Sequence, residues 1–71
     1  MANRLVVNGR KVRQLRRKAR LTQEVAAVRV GIAGSTLRRI ESGTQSVQLA
    51  TLGKLADLYA IDPCELLHRA R

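Results

Sequence analysis

The stretch from Gln23 to Gly43, QEVAAVRVGIAGSTLRRIESG, has the spacing of two short helices joined by a tight turn. If Thr22 caps the first of these helices through its hydroxyl, then Ala26, Ala27 and Val30 recur at helical intervals and share one face. Gly31 follows the last turn, where a positive φ is needed to reverse the chain, and glycine adopts that conformation without steric cost. We predict a helix that ends there.

A second helix is predicted to begin between Ala33 and Ser35. Leu37 and Ile40 lie on its buried side, because side chains three residues apart share a helix face. At about 100° per residue, the opposite side carries hydroxyl and basic groups. That outward face consists of Ser35, Arg39 and Ser42, with Arg38 at its border.

This run resembles the helix-turn-helix of the phage-repressor and Cro type, also called the xenobiotic-response-element (XRE) family. The resemblance covers roughly residues 9–67. It implies an all-α fold: a compact, five-helix, lambda-repressor-like DNA-binding domain, with the helix-turn-helix formed by the second and third helices. The matching positions are Gln23, Ala27, Gly31, Ile32, Leu37, Ile40 and the closing Glu41-Ser42-Gly43.

Composition limits the possible functions. The chain has 71 residues, enough for one domain, and its 14 basic against 5 acidic residues give a net charge of +9. Such a charge attracts polyanions, and nucleic acid is the expected partner. The lone cysteine forms no internal disulfide, and no apolar run approaches the ~20 residues of a membrane span. We expect a cytoplasmic protein.

The reactive residues are too few and too scattered for an enzyme. One histidine, one cysteine and five acidic residues offer no nucleophile with a spaced base, no metal-ligand cluster and no phosphate-cradling glycine loop. We therefore predict no catalysis, no metal and no cofactor.

The first helix is strongly basic. Residues 1–8 are expected to be an N-terminal arm that is extended or partly disordered, followed by Asn8 as the helix cap. Arg20 stands where the family often has glycine, so either its backbone is strained by about 1 kcal/mol or the helix ends differently. The inward stripe of this helix is predicted to be Val12, Leu15 and Ala19.

Arg16 lies at the edge of that apolar stripe, where a charge needs a partner. Glu41 has the corresponding place beside Leu37 on the inner edge of the third helix. We predict an ion pair between Arg16 and Glu41 that joins the first helix to the third, and the family resemblance implies the same pair.

The outward face of the third helix holds the candidates for base recognition. A helix placed in the major groove reaches base edges with its N-terminal residues and outward side. Arg39 is the best candidate for specificity, because a guanidinium can bind guanine O6 and N7 together. Arg38 either shares that role or binds a phosphate. The resemblance places Gly34 and Ser35 at the first base-contacting positions, although Gly34 has no side chain to contribute.

Other residues are expected to contact the DNA backbone. By resemblance, Gln23 contacts the sugar-phosphate backbone and supports the first reading residue. Ser42 and Thr44 are expected to contact the DNA backbone from the loop after the third helix. Ala33 stands where a capping hydroxyl is usual, so Ser35 or a phosphate oxygen is left to satisfy the exposed helix amides. Weaker phosphate contacts, or simply a solubilising surface, are expected of Arg10, Arg13, Arg17 and Thr22.

The C-terminal third predicts two more helices. The fourth is capped by Ser46 in this interpretation, and its Gly53 suggests close packing against a neighbour. The fifth begins at Asp62-Pro63 and is followed by a basic tail, 68–71. Tyr59 is expected in the core with its hydroxyl near the surface. The apolar positions of the fourth helix are Leu49, Leu52, Leu55, Ala56 and Tyr59.

Members of this family usually bind near-palindromic double-stranded DNA as dimers, and Leu58, Cys64 and Leu67 are the candidates for a homodimer contact. Val25 and Val28 lie away from the buried face and are candidates for contact with another protein, such as polymerase or a toxin. Two alternatives remain. One is a protein-interaction module, such as an antitoxin or a phage factor that binds a host protein; the other is sequence-independent binding to RNA or an anionic membrane.

Overall fold

Four α-helices make up most of the part of the chain that the structure describes. This computed structural model describes residues 4–67, so the first three residues of the expected arm and the predicted basic tail at 68–71 lie outside it. The strands β1 (Arg4–Leu5) and β2 (Val47–Gln48) pair in antiparallel register. The helices are α1 (Gly9–Lys18), α2 (Gln23–Val30), α3 (Gly34–Ser42) and α4 (Leu49–Tyr59).

The prediction of a fifth helix was wrong, because residues Pro63–Leu66 form a single 3-10 turn. Asp62 caps this turn as expected, accepting a hydrogen bond from the Cys64 amide at 2.9 Å. The chain then becomes extended, because Leu67 forms a β-bridge with Val7. The pairing of Leu67 with Val7 therefore ends the helix after Leu66, and short strands accompany a fold predicted to be all-α.

The predicted starts of α1 and α2 are confirmed. Asn8 Oδ1 accepts the Lys11 amide at 3.3 Å, and Thr22 Oγ1 accepts the Val25 amide at 3.1 Å. The predicted reversal at Gly31 is also present, with φ of 85°. A turn of this hand separates α2 from α3, so the two helices are distinct elements.

The start of α4 differs from the prediction. Val47 is buried and lies in β2, opposite Leu5. Its pairing keeps the backbone extended through Gln48, which takes the N-cap position without a side-chain hydrogen bond, two residues after the predicted cap at Ser46. Leu49 is the first helical residue and is 61% exposed, contrary to its predicted place in the core.

The core lies between the four helices. Arg16 is buried on the inward side of α1. Ala19, which was predicted to belong to the inward stripe of this helix, is exposed at the helix end. The hydroxyl of Tyr59 is buried without a hydrogen-bond partner among the described residues, whereas it was expected near the surface. The buried apolar residues are Val7, Val12, Ala26, Ala27, Val30, Leu37, Ile40, Val47, Leu52, Leu55, Ala56 and Leu66.

Two helix ends use a left-handed residue that is not glycine. Arg20 has φ of 61°, which realises the strained alternative predicted for it, and Ala60 after α4 has φ of 55°. Each costs about 1 kcal/mol relative to glycine. Ala60 was not foreseen, because alanine gives no sequence signal for this conformation.

Close packing requires a glycine at Gly9 and not, as predicted, at Gly53. A Cβ built on Gly9 would lie 2.3 Å from the Ile40 carbonyl oxygen and 2.6 Å from that of Glu41. A Cβ on Gly53 would meet nothing within 4 Å, so its predicted close packing was wrong. It is Gly9 that lets the start of α1 approach the end of α3.

Candidate nucleic-acid interface

The helix α3 separates a buried side from an outward side. Leu37 and Ile40 are fully buried, with 0% exposure. Gly34 is half-buried at the first turn. The residues predicted to face outward are exposed to solvent: Ser35, Arg38, Arg39 and Ser42. The helix therefore presents hydroxyl and guanidinium groups on a side that the core does not cover.

The C-terminal end of α3 is held by a buried network. Arg16 Nε donates to Glu41 Oε2 at 2.7 Å, and Arg16 Nη2 donates to Glu41 Oε1 at 3.1 Å. The predicted contact is therefore present and bidentate. Arg16 Nη1 also donates to the Leu21 carbonyl at 2.8 Å. One guanidinium thus joins α1, α3 and the chain leading into α2.

Gln23 extends this network to the start of α2. Its Nε2 donates to Glu41 Oε1 at 3.1 Å, which fixes the amide orientation. The side chain is half-buried at the first residue of α2. The hydrogen bond that Arg16 itself donates to Glu41 raises the pKa of Arg16 above its ordinary value, although burial lowers it. The guanidinium therefore remains charged beside Glu41.

Ser42 and Thr44 close α3 through their hydroxyl groups. Ser42 Oγ donates to the Arg39 carbonyl at 2.9 Å, Thr44 Oγ1 donates to the same oxygen at 3.3 Å, and the two hydroxyls lie 3.0 Å apart. Gly43 between them has φ of 80°. Because each hydroxyl has one proton, donation to a phosphate requires it to give up its bond to Arg39.

The start of α1 lies beside this same end of α3. A groove of about 570 Å³ runs between them, and the exposed side chains of Arg10 and Arg13 form one wall. Sequence reasoning missed two residues of this groove, Asn8 and Gly9, since their only signal was the capping pattern. The remaining lining residues are Glu41, Ser42 and Gly43.

Arg17 and Thr22 are exposed at the end of α1 and before α2. The Thr22 hydroxyl accepts the Val25 amide, so its proton is available to another acceptor. The sequence of α1, GRKVRQLRRK, contains no acidic residue. The surface formed by α1 and the end of α3 is accordingly basic.

The N-terminus of α3 has no side-chain cap. Ala33 has the extended backbone of a capping residue, with φ of −70° and ψ of 148°, and no side chain bonds to the first amides. Helix amides left in this way attract anions. Within residues 4–67, the first amides of α3 therefore receive no side-chain cap next to the exposed Ser35.

The three residues proposed for a homodimer contact differ in accessibility. Cys64 is exposed, whereas Leu58 and Leu67 are partly buried and pack against the core. Within residues 4–67, no cluster of metal-ligating side chains occurs. In the same part of the chain, no helix is long and apolar enough to cross a membrane.

A short helix, a left-handed glycine turn and a second helix with an exposed polar side define the helix-turn-helix class of proteins. The chain belongs to the helix-turn-helix domain family, whose sequence profile matches residues 9–68. The resemblance to the phage-repressor and Cro type is thus confirmed.

Individual relatives agree with this assignment. The chain is 40% identical over 57 residues to the cryptic phage CTXphi transcriptional repressor RstR of Vibrio cholerae, covering 80% of this chain and 51% of that protein. The chain thus spans about half the length of this curated relative.

Solved structures show the same architecture. The restriction-modification controller protein C.AhdI from Aeromonas hydrophila superposes with a TM-score of 0.79 at 35% identity, covering 87% of this chain and 94% of that one. The P22 c2 repressor, solved with a synthetic operator, gives a TM-score of 0.82 at 21% identity, covering 86% of this chain and 92% of that one. The second likeness concerns the fold alone.

Proposed function

We propose that this protein regulates transcription by binding an operator in duplex DNA, with α3 in the major groove. The exposure of Ser35, Arg38 and Arg39 on a helix with an anchored opposite side carries the proposal. A repressor of this kind would act by steric competition with polymerase for the operator. The relatives named as repressor and controller proteins support this class of function.

Within this proposal, Arg39 reads a base and Arg38 either reads a base or binds a phosphate. The Arg39 carbonyl is fixed by Ser42 and Thr44. The Arg39 side chain lies on the exposed side of α3, and its guanidinium can donate to guanine O6 and N7 in the major groove. The uncapped start of α3 would bind a phosphate, because that anion satisfies amides that Ala33 leaves open.

The α1 side supplies phosphate contacts that do not depend on sequence. Arg10 and Arg13 flank the groove at the end of α3, and Arg17 continues the row. These residues would set the salt dependence of binding, because each neutralised phosphate releases counterions. A near-palindromic site occupied by two copies, in contact near Leu58, Cys64 and Leu67, completes the proposal.

Selection from random duplex DNA at two salt concentrations tests this function. Recovery of a palindrome supports sequence reading, whereas a steep salt dependence without any recovered sequence shows binding by charge alone.

The recovered site then allows one side chain to be assigned. Arg39→Ala is expected to cost about 1–3 kcal/mol of binding free energy and to relax one base position. Arg17→Ala is the matched control and should weaken all DNA sequences alike. Equal losses for Arg39→Ala on the selected site and on random DNA would remove Arg39 from base reading.

A further inference from the structure

An apolar ridge runs along the outward side of α2. Val28 is 79% exposed and Val25 is 42% exposed, whereas the other side of the helix is buried in the core. With Glu24 and Arg29 these valines line a shallow groove of about 270 Å³. No part of the chain that the structure describes covers the ridge.

The four side chains are arranged symmetrically about the middle of α2. The valines lie in the centre of the strip, and Glu24 and Arg29 lie on opposite flanks at opposite ends. A two-fold axis that lies in the plane of contact and runs along the line joining the two valines would bring each valine against its own copy. The same axis would place Glu24 of one copy opposite Arg29 of the other.

The charges also favour contact between two copies at this place. Elsewhere the net charge of +9 opposes self-association. On the ridge, the opposite charges of Glu24 and Arg29 cancel. Glu24 in the first turn and Arg29 in the last turn also interact favourably with the helix dipole of α2. That interaction explains the two charges, but it does not explain why the valines between them are exposed.

We propose that the α2 ridge docks a second copy of this chain across a two-fold axis. Stable interfaces bury about 800 Å² on each partner, and one short helix provides less, so the contact is weak. It forms at high protein concentration or where two copies are held close together. It is separate from the C-terminal contact and does not depend on DNA binding.

Sedimentation equilibrium of the full chain without DNA, from micromolar to millimolar concentration, tests the proposal. We expect a reversible dimer, with amide shifts that change along Val25 to Arg29 in nuclear magnetic resonance spectra. Val28→Lys should weaken dimerisation about tenfold or more, because it places a charge in the centre of the contact. Leu49→Lys is the matched control and should leave it unchanged, since Leu49 is also exposed but lies on α4.

Charge reversal identifies the symmetry. Glu24→Arg and Arg29→Glu should each weaken the dimer, because each brings like charges together, and the double variant should restore it. Circular dichroism verifies folding, and Val28→Ser gives a second test with no added charge. The proposal is overturned by a monomer throughout the concentration range or by a double variant that fails to dimerise. A dimer that survives Val28→Lys and disappears in Cys64→Arg also overturns it.

Discussion

The two ends of α3 differ in how completely the protein satisfies them. At the C-terminal end, Glu41 accepts hydrogen bonds from Arg16 and Gln23, and the final carbonyls are closed by Ser42 and its neighbours. At the N-terminal end, the Ala33 carbonyl accepts the Leu37 amide at 3.1 Å, but the Ala33 side chain offers no acceptor to the amides before it. The C-terminal end of α3 is thus satisfied by other parts of the protein, whereas no side chain of the described residues caps the amides at its N-terminal end.

This difference separates positioning from binding. The anchored end sets the direction of α3 before any ligand is present, because three elements meet at one buried ion pair. The open end has capacity for an external acceptor, and under the proposed function that acceptor is a DNA phosphate. Changes at the anchored end should therefore affect folding, and changes at the open end should affect the gain in order on binding.

The largest effect is expected from Glu41→Ala. Removal of the carboxylate leaves a buried guanidinium unpaired, which costs about 3–5 kcal/mol. A domain of this size has a free energy of unfolding of only about 4–10 kcal/mol, so much of its stability would be lost. Urea unfolding measures the change. The exposed Glu65→Ala is the control, and a comparable loss there would contradict a special role for Glu41.

Gly9→Ala tests the close approach at the same end. The added Cβ would collide with backbone oxygens of Ile40 and Glu41, and overpacking of this kind costs about 1–3 kcal/mol or more. Gly53→Ala is the matched control, because it meets open space and should raise stability by up to about 1 kcal/mol. Thermal unfolding compares them. Equal shifts for the two variants would show that the α1–α3 approach is loose.

Ala33→Ser addresses the open end. A serine with this extended backbone can accept an amide of α3, which should raise the free energy of unfolding by about 1 kcal/mol. Hydrogen exchange of the Gly34 to Thr36 amides should slow in the free variant. If those amides in the native protein exchange equally slowly with and without DNA, a phosphate does not cap them.

Tyr59→Phe has the smallest expected effect. Burial raises the pKa of Tyr59, and the charge of Glu41 raises it further against the opposing effect of Arg16. The folded state therefore retains the phenolic proton. The resulting contribution to stability is present below the unfolded pKa of about 10 and is lost as pH rises through the folded pKa.

The phenylalanine variant should match the stability of the native protein near neutral pH or exceed it slightly, because it removes a buried hydroxyl that has no hydrogen-bond partner among residues 4–67. Between pH 9 and about 11, its stability should fall less than that of the native protein. Chemical unfolding at several pH values measures both. Parallel curves for the two proteins would show that Tyr59 ionises as readily in the folded state as in the unfolded one.

Local signals foretold the elements that depend on neighbours in the chain. Asn8 and Thr22 predicted helix starts, and Gly31 predicted the reversal. Side-chain spacing predicted the buried and outward sides of α3. Arg16 and Glu41 were paired in advance because a charge at the edge of an apolar stripe needs a partner.

The predictions that were wrong concerned elements whose bounds depend on contacts with distant parts of the chain. The pairing of Val47 with Leu5 moved the start of α4 beyond Ser46, and the bridge between Val7 and Leu67 ended the last helix after one turn. The spacing of a short sequence cannot encode such contacts, because they join segments that are far apart.

Thus the sequence by itself determined that this chain contains a helix-turn-helix with a basic outward side, since helix periodicity and glycine stereochemistry are local properties. The tertiary structure decided which glycine is required for close packing between helices. Nothing around Gly53 or Gly9 in the sequence reveals that only the second faces a carbonyl oxygen 2.3 Å from its potential Cβ. That distance follows from how α1 and α3 pack, and packing is a property of the whole domain.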